Sequence, residues 1–299
     1  SDYGLLGNGT GQDSFVPIQI GTSTNWKQVS AGTYHCLAIQ NNGSLWAWGY
    51  NQGCFGNGTV MSSQIPIQIG TQTNWLEVSG GNAFTTAIKT DGSLWVAGTN
   101  SSGEHGNGTN EGYSNTFLRI GTANNWSKVY SGWASILAIK NNGTLWAWGD
   151  NSFGHLGTGN TNPELQPVEV SPGTKWKKIY AGSISSFAIK SDNTIWAWGN
   201  NQMGQLGDGT KNYSSSPIQI NAFSDVKQII PIGSSTLVAT NNGNVYGWGE
   251  NIFGQLGNGN DIDVENPTIS HNINWKKISG IGMCMYAIHN NGTLWGWGG

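Results

Sequence analysis

Apolar and polar positions alternate in short runs along this chain, and the runs recur in a fixed order. In the first recurrence WKQVSA (Trp26–Ala31) is followed by YHCLAIQ (Tyr34–Gln40), SLWAWG (Ser44–Gly49) and IPIQI (Ile65–Ile69). The runs are short, rich in β-branched and aromatic residues, and bounded by Gly, Asn and Ser. That pattern predicts four strands, A to D, rather than helices. The segments ending at Gly49, Gly98, Gly149, Gly199, Gly249 and Gly298 read SLWAWG, SLWVAG, TLWAWG, TIWAWG, NVYGWG and TLWGWG, so a unit of 49 to 51 residues occurs six times. A period of this length built from several strands predicts a propeller or solenoid, in which each unit buries its apolar faces against its neighbours.

Within strand C the period of two puts Trp46 and Trp48 on one face and Leu45 and Ala47 on the other. Both faces are apolar, as a sheet sandwiched between two others requires. Trp26, Trp75, Trp126, Trp176 and Trp275 open strand A, with Val226 in the remaining unit. The B–C connection is Asn42-Gly43, Asp91-Gly92, Asn142-Gly143, Asn242-Gly243 or Asn291-Gly292, and Asp192-Asn193 in the fourth unit. This is the strongest local hairpin signal and predicts a type I′ turn, with Asn193 able to visit the left-handed region. A strand-D-like segment, Val16–Ile20, precedes the first strand A, and the last unit runs only through its strand C. The expected fold is therefore all-β: one domain over 1–299, a closed six-bladed β-propeller of four-stranded antiparallel blades. Val16–Ile20 is expected to pair with the blade of Trp275–Gly298 and so remove an open edge.

Composition narrows the function. Charged residues are 10% of the chain, while Gly (46) and Trp (16) are abundant, which suits turns and strands. There is no apolar run long enough to span a bilayer and no signal-peptide pattern, so membrane insertion is not expected. A net charge of −3 without a basic block gives no reason to expect a nucleic-acid partner. Cys36, Cys54 and Cys284 cannot all pair and lack metal-ligand spacing, which leaves the redox compartment open. His35, His105, His155, His271 and His289 fall at unrelated repeat positions, and no nucleophile elbow, zinc-protease or phosphate-loop motif is present. No catalytic residue, cofactor or metal is predicted. Asp261, Asp263 and Glu265, with Glu250 nearby, lack the glycine and further ligands of a calcium loop. They read as an acidic recognition rim or a solvated loop.

The residues resemble the repeat of the regulator of chromosome condensation family. Ser30-Ala31-Gly32, Leu37-Ala38-Ile39, Gly43–Gly49 and Gly204-Gln205-Leu206-Gly207-Asp208-Gly209-Thr210 carry the resemblance, which extends over essentially the whole chain. The recurring PIQIGT…NW wording is similar to bacterial members. The resemblance implies a propeller, although well-known members have seven blades against six units here. The family includes a nucleotide exchange factor for a small GTPase, a plant ultraviolet-B photoreceptor and a secreted bacterial β-lactamase inhibitor. The exchange factor uses an inserted wedge hairpin that no unit here is long enough to hold. The photoreceptor's Gly-Trp-Arg-His-Thr motif is met only by Gly132-Trp133, followed by Ala134-Ser135. Neither role is expected, and His35 matches a strand-B histidine common in the family and reads as structural.

Function is then sought in what departs from the repeat. Strands running alternately up and down send the A–B and C–D loops to one end. The candidates there are Tyr34, Phe84, Trp133, Ile184 and Met283 in A–B loops, with Tyr50, Phe153 and Phe253 in C–D loops. Of the sixteen tryptophans only Trp133 falls outside the three repeat positions. Aromatic and Met side chains on a rigid frame supply what a protein-binding hot spot needs: large apolar area and little entropy lost on ordering. The expectation is a non-catalytic module that binds another protein through this end, extracellular or surface-displayed in a bacterium. The alternatives are a carbohydrate-binding propeller, with Trp133 and Tyr50 stacking on sugar rings, or a purely structural repeat domain of a larger surface protein.

Overall fold

The computed structural model describes residues 3–14, 16–223, 225–271, 275–281 and 283–299, without the side chains of His271 and Ile281. The described residues form six antiparallel sheets and no helix, the blades of a six-bladed β-propeller. Sheet one is β1 (Trp26–Ala31), β2 (His35–Gln40), β3 (Leu45–Gly49) and β4 (Ser63–Gln68); sheet two is β5 (Trp75–Gly80), β6 (Phe84–Lys89), β7 (Leu94–Thr99) and β8 (Tyr113–Arg119). Sheet three is β9 (Trp126–Ser131), β10 (Ser135–Lys140), β11 (Leu145–Gly149) and β12 (Glu164–Val170); sheet four is β13 (Trp176–Ala181), β14 (Ser185–Lys190), β15 (Ile195–Gly199) and β16 (Ser214–Ile220). Sheet five is β17 (Val226–Ile232), β18 (Ser235–Thr240), β19 (Val245–Gly249) and β20 (Val264–His271); sheet six is β21 (Trp275–Ile281), β22 (Cys284–His289) and β23 (Leu294–Gly298).

Two compact units are present. The first comprises 1–142, 146–150 and 163–168; the second comprises 143–145, 151–162 and 169–299. In the first, Trp75 is buried against Leu37, Leu45 and Phe55 of the preceding blade, and Trp126 and Trp148 against Phe84, Ile88 and Leu94. In the second, Trp248 packs with Phe187, Ile195 and Leu206, and Trp275 with Ile232, Leu237 and Leu256. Within each unit the two apolar faces predicted for strand C are thus covered by indole from neighbouring blades.

The second tryptophan of strand C also ties its blade to the preceding loop. Within the first unit, Trp48 Nε1 donates to the Leu5 carbonyl and Trp148 Nε1 to the Glu104 carbonyl, each at 3.0 Å. Within the second, Trp198, Trp248 and Trp297 donate to the carbonyls of His155, Gln205 and Gln255 at 2.9, 2.8 and 3.0 Å. Ala97 takes this place in sheet two, and there the Phe117 ring meets Trp75 at a 45° tilt with centroids 4.8 Å apart. A lysine at the end of strand B adds a contact not foreseen from the sequence: Lys89 lies 4.0 Å from the centre of the Trp95 ring and 4.7 Å from that of Trp75. Lys140 and Lys190 repeat the arrangement on Trp126/Trp146 and Trp176/Trp196. The indole faces attract the ammonium, while desolvation lowers the pKa of Lys89 and of Lys190.

Two expectations are corrected. The B–C hairpins form, but the turn is not type I′. Gly43 N donates to the Gln40 carbonyl at 2.8 Å, so Asn41 and Asn42 are the central residues and Gly43 follows them at φ 82°. Asn42 keeps an ordinary φ and its Oδ1 accepts from Ser44 N at 3.0 Å, giving a three-residue loop whose glycine alone is left-handed. A Cβ on Gly43 would fall 2.1 Å from the Thr73 carbonyl oxygen. Asn193 does enter the left-handed region, at φ 69°.

The second correction concerns closure. Sheet six has three strands, and Val16–Ile20 belongs to no strand; Val16 and Ile18 are exposed, as are Leu294 and Trp295 on β23. The other strands D are tethered to their own strand C by a short loop. The chain ahead of Val16–Ile20 is held on sheet one: Gly9 N donates to the Gln64 carbonyl at 2.9 Å, and the Leu5 carbonyl accepts from Trp48 Nε1 at 3.0 Å.

His35, which opens β2, is fully buried with Nε2 2.9 Å from Thr85 Oγ1, and burial lowers its pKa from 6.5 to about 4. The folded chain therefore refuses a proton that the unfolded chain accepts. Its neutral form contributes stability that is complete above pH 6.5 and lost as pH falls towards 4, by about 2–3 kcal/mol. Thermal melts at about pH 7.5 and about pH 4.5 are expected to show a drop that shrinks in His35→Ser, serine being the residue at this position in Ser135, Ser185 and Ser235. An equal drop in both proteins would assign the acid sensitivity elsewhere.

Candidate functional site

The strand registers fix which loops share an end. Ala31 pairs with Cys36, His35 with Gly49, and Gly49 with Ser63, whereas Trp26 pairs with Gln40 and Trp46 with Gln68. In each blade of this kind the A–B and C–D loops lie at one end of the strands, and the B–C turn lies at the other.

In the first unit the A–B loops are stitched together. Thr33 N donates to the Gly81 carbonyl at 3.1 Å, and Asn82 N to the Trp133 carbonyl at 2.9 Å. Trp133 is 56% exposed on this fixed backbone. Tyr34 and Tyr50 meet edge to face with centroids 6.4 Å apart, and Tyr3 joins Tyr50 at 4.5 Å. The sequence reading missed Tyr3, and with it the exposed side chains of Val60, Met61 and Tyr113. Val60 and Met61 lie in a C–D loop, Tyr113 opens β8 as Tyr213 precedes Ser214 of β16, and Tyr3 precedes Gly4 as Phe253 precedes Gly254, so comparison between repeats was the available signal. Tyr50, Gln52 and Val60 from one C–D loop face Thr99, Gly112 and Tyr113 from the next across a cleft of about 560 Å³.

Phe84 is not part of this surface. It is the first residue of β6, fully buried at the strand position His35 holds in sheet one, and packs with Ile88, Leu94 and Val96. The A–B loop ends at Ala83, one residue earlier than the reading supposed. In the second unit, Phe153, Phe253 and Met283 are exposed at the corresponding ends of their strands, and Ile184 is half-buried. Phe153 lies 6.5 Å from the His155 ring.

The C–D loops are rigid because each is built around a buried asparagine. Asn100 Nδ2 donates to the carbonyls of Thr109 and Glu111, both at 3.2 Å, and its Oδ1 accepts from His105 N at 2.8 Å. Asn51, Asn151, Asn201 and Asn251 do the same work in their loops. Glu104 replaces the glutamine found as Gln205 and Gln255; its Oε2 accepts from Ser102 N at 2.8 Å, and burial raises its pKa. Among the remaining acids, Asp263 accepts from Asn251 N at 2.8 Å and Glu265 pairs with Lys211 at 3.6 Å. Among the described residues no group of three His, Cys, Asp or Glu side chains converges. Burial pushes the thiols of Cys36 and Cys54 up to about 11 and about 12, which keeps them protonated and weakly nucleophilic.

The family model for the RCC1-like domain matches residues 1–299. The ultraviolet-B receptor UVR8 of Arabidopsis thaliana is 31% identical over 181 residues, 56% of this chain and 39% of its own length. The chain thus spans about two fifths of the length of this relative. Among solved structures, human WBSCR16 superposes with a TM-score of 0.81 at 20% identity over 95% of this chain and 78% of its own. Yeast RCC1 (Prp20), solved bound to Kap60, gives 0.76 at 21% identity over 91% and 70%. These structural likenesses concern the fold.

Proposed function

The chain belongs to the RCC1-like domain family, and from that premise we propose that it is a non-catalytic module that binds another protein through the A–B/C–D end of its blades. The carrying observation is Trp133. It is the tryptophan outside the repeat, it is 56% exposed, and its backbone carbonyl accepts a hydrogen bond from the neighbouring loop. Fifteen tryptophans already serve the repeat positions, so packing leaves this one without a use. A large, exposed aromatic on a loop stitched to its neighbour has the character of an interface hot spot. The presence of Kap60 in the Prp20 structure gives a family precedent for protein partners. Display outside a bacterial cell completes the proposal, supported by the PIQIGT…NW wording of the repeats.

The test is an affinity capture from secreted and surface proteins of the source, using wild type and Trp133→Ala as paired baits. A partner retained by wild type and lost, or weakened at least tenfold, with Trp133→Ala is expected. The variant should melt with the wild type, since the side chain is exposed and its stability cost is at most about 1 kcal/mol. Equal recovery by both baits would remove Trp133 from the site. Glycan-array binding without protein capture would shift the reading to carbohydrate recognition.

A further inference from the structure

Charge is sorted by strand end in the first unit. Its lysines and arginine are Lys27, Lys89, Arg119, Lys128 and Lys140, and every one lies in the opening half of strand A, at the end of strand B or at the end of strand D. Those positions are all at the B–C end. The A–B loops at 32–34, 81–83 and 132–134 and the C–D loops at 50–62 and 100–112 contain no lysine or arginine. Glu104, Glu111, Asp150 and Glu164 lie at this second end, while only Glu77 and Asp91 accompany the five cations at the first. Glu77 is already paired to Lys128 at 3.0 Å.

The cleft between Tyr50 and Tyr113 opens on the cation-free end. Tyr113 is 60% exposed on one wall, and Glu111 stands two residues before it, exposed, with its backbone carbonyl pinned at 3.2 Å by the buried Asn100. The opposite wall presents Tyr50, whose hydroxyl accepts from Gln52 Nε2 at 3.2 Å. A concave site with a tyrosine on either wall, an exposed acid two residues along the chain from one of them and no lysine or arginine in its loops suits a guanidinium or ammonium group. Its charge is attracted by the ring faces and paired by the acid.

We propose that this cleft receives an arginine or lysine side chain from a cationic segment of the partner. The inference rests on the protein-binding reading above and names the partner's chemistry: a segment with basic side chains, steered by the acidic end and anchored between Tyr50 and Tyr113.

Fluorescence anisotropy with a labelled alternating Arg-Gly peptide, and with its Glu-Gly counterpart, tests it on the full chain. The Arg-Gly peptide is expected to bind, more weakly as salt rises, and the Glu-Gly peptide is not. Tyr113→Ala should weaken binding about three- to tenfold, and Glu111→Lys about tenfold or more. Glu169→Gln, a charge change at the B–C end of sheet three, should leave it unchanged. Equal binding of both peptides, no binding of the Arg-Gly peptide, or unchanged affinity in both cleft variants would overturn the proposal. Retention of a captured partner that depends on Trp133 but is indifferent to Tyr113→Ala and Glu111→Lys would overturn it while leaving the protein-binding reading in place.

Discussion

Trp148→Ala is expected to lower the free energy of unfolding by about 4–6 kcal/mol, the largest loss of any single substitution considered. The side chain is completely buried, its ring centroid lies 6.1 Å from that of Trp126, and its Nε1 donates to the Glu104 carbonyl at 3.0 Å. Truncation removes a whole indole from the gap between two blades and leaves a cavity that strands on both sides hold open, worth about 3–5 kcal/mol. It also leaves the Glu104 carbonyl without its donor, a further cost of about 1 kcal/mol. Urea unfolding of Trp148→Ala beside Trp133→Ala measures the contrast. Comparable losses in the two would mean that Trp133 is part of the packing and not of a recognition surface.

Asn100→Leu is expected to cost about 3–4 kcal/mol and to weaken partner binding at the same time. The asparagine makes no contact that an apolar residue of similar size could replace. Its buried side chain satisfies two loop carbonyls and the buried backbone N–H of His105. Leucine would leave the buried His105 N–H without a partner, at about 1–3 kcal/mol, and would remove two further bonds to the loop carbonyls, at about 1 kcal/mol apiece. Relaxation frees Glu111 and Tyr113 from their positions beside the cleft. Binding should therefore fall even at a temperature where the chain is still folded, which distinguishes this variant from one that is merely less stable. Denaturant titration together with binding measured well below the melting point checks both parts; a stable variant with wild-type affinity would show that the asparagine does not hold the loop.

Much of the fold was legible because its cause is local and repeated. Alternation of Leu45, Trp46, Ala47 and Trp48 implies a strand with two apolar faces, and six recurrences leave few architectures that could bury them. The turn type was less legible: Asn42-Gly43 suits either a two-residue loop or a type I turn followed by a left-handed glycine. The choice depends on Asn42 bonding to Ser44 and on Gly43 approaching Thr73. Pairing of Val16–Ile20 was read from strand propensity alone, which does not contain the bonds that hold the preceding residues on sheet one, from Gly9 to Gln64 and from Trp48 to Leu5.

The site was legible in part. Trp133 stood out as an exception to a repeat, and its exposure follows from the same fact. Phe84 could have been assigned to the core from its register with His35, Ser135 and Ser185, which open strand B in their blades. Tyr3 and Tyr113 have repeat counterparts in Phe253 and Tyr213, but only folding brings the first against Tyr50 and the second to the far wall of the cleft. The lysines stacked on paired indoles were visible as a recurrence at Lys89, Lys140 and Lys190, but their partners emerge only from the pairing of Trp75 with Lys89 and Trp176 with Lys190.

The central claim is that recognition belongs to the A–B/C–D end of the strands and packing to the rest. Hydrogen-exchange mass spectrometry of the chain alone and with the captured partner tests it most directly. Slowed exchange is predicted at 32–34, 50–61, 99–113 and 132–134, with the B–C turns at 41–44, 91–93 and 141–144 unchanged. Protection confined to the B–C turns, where the lysines gather, would contradict the account.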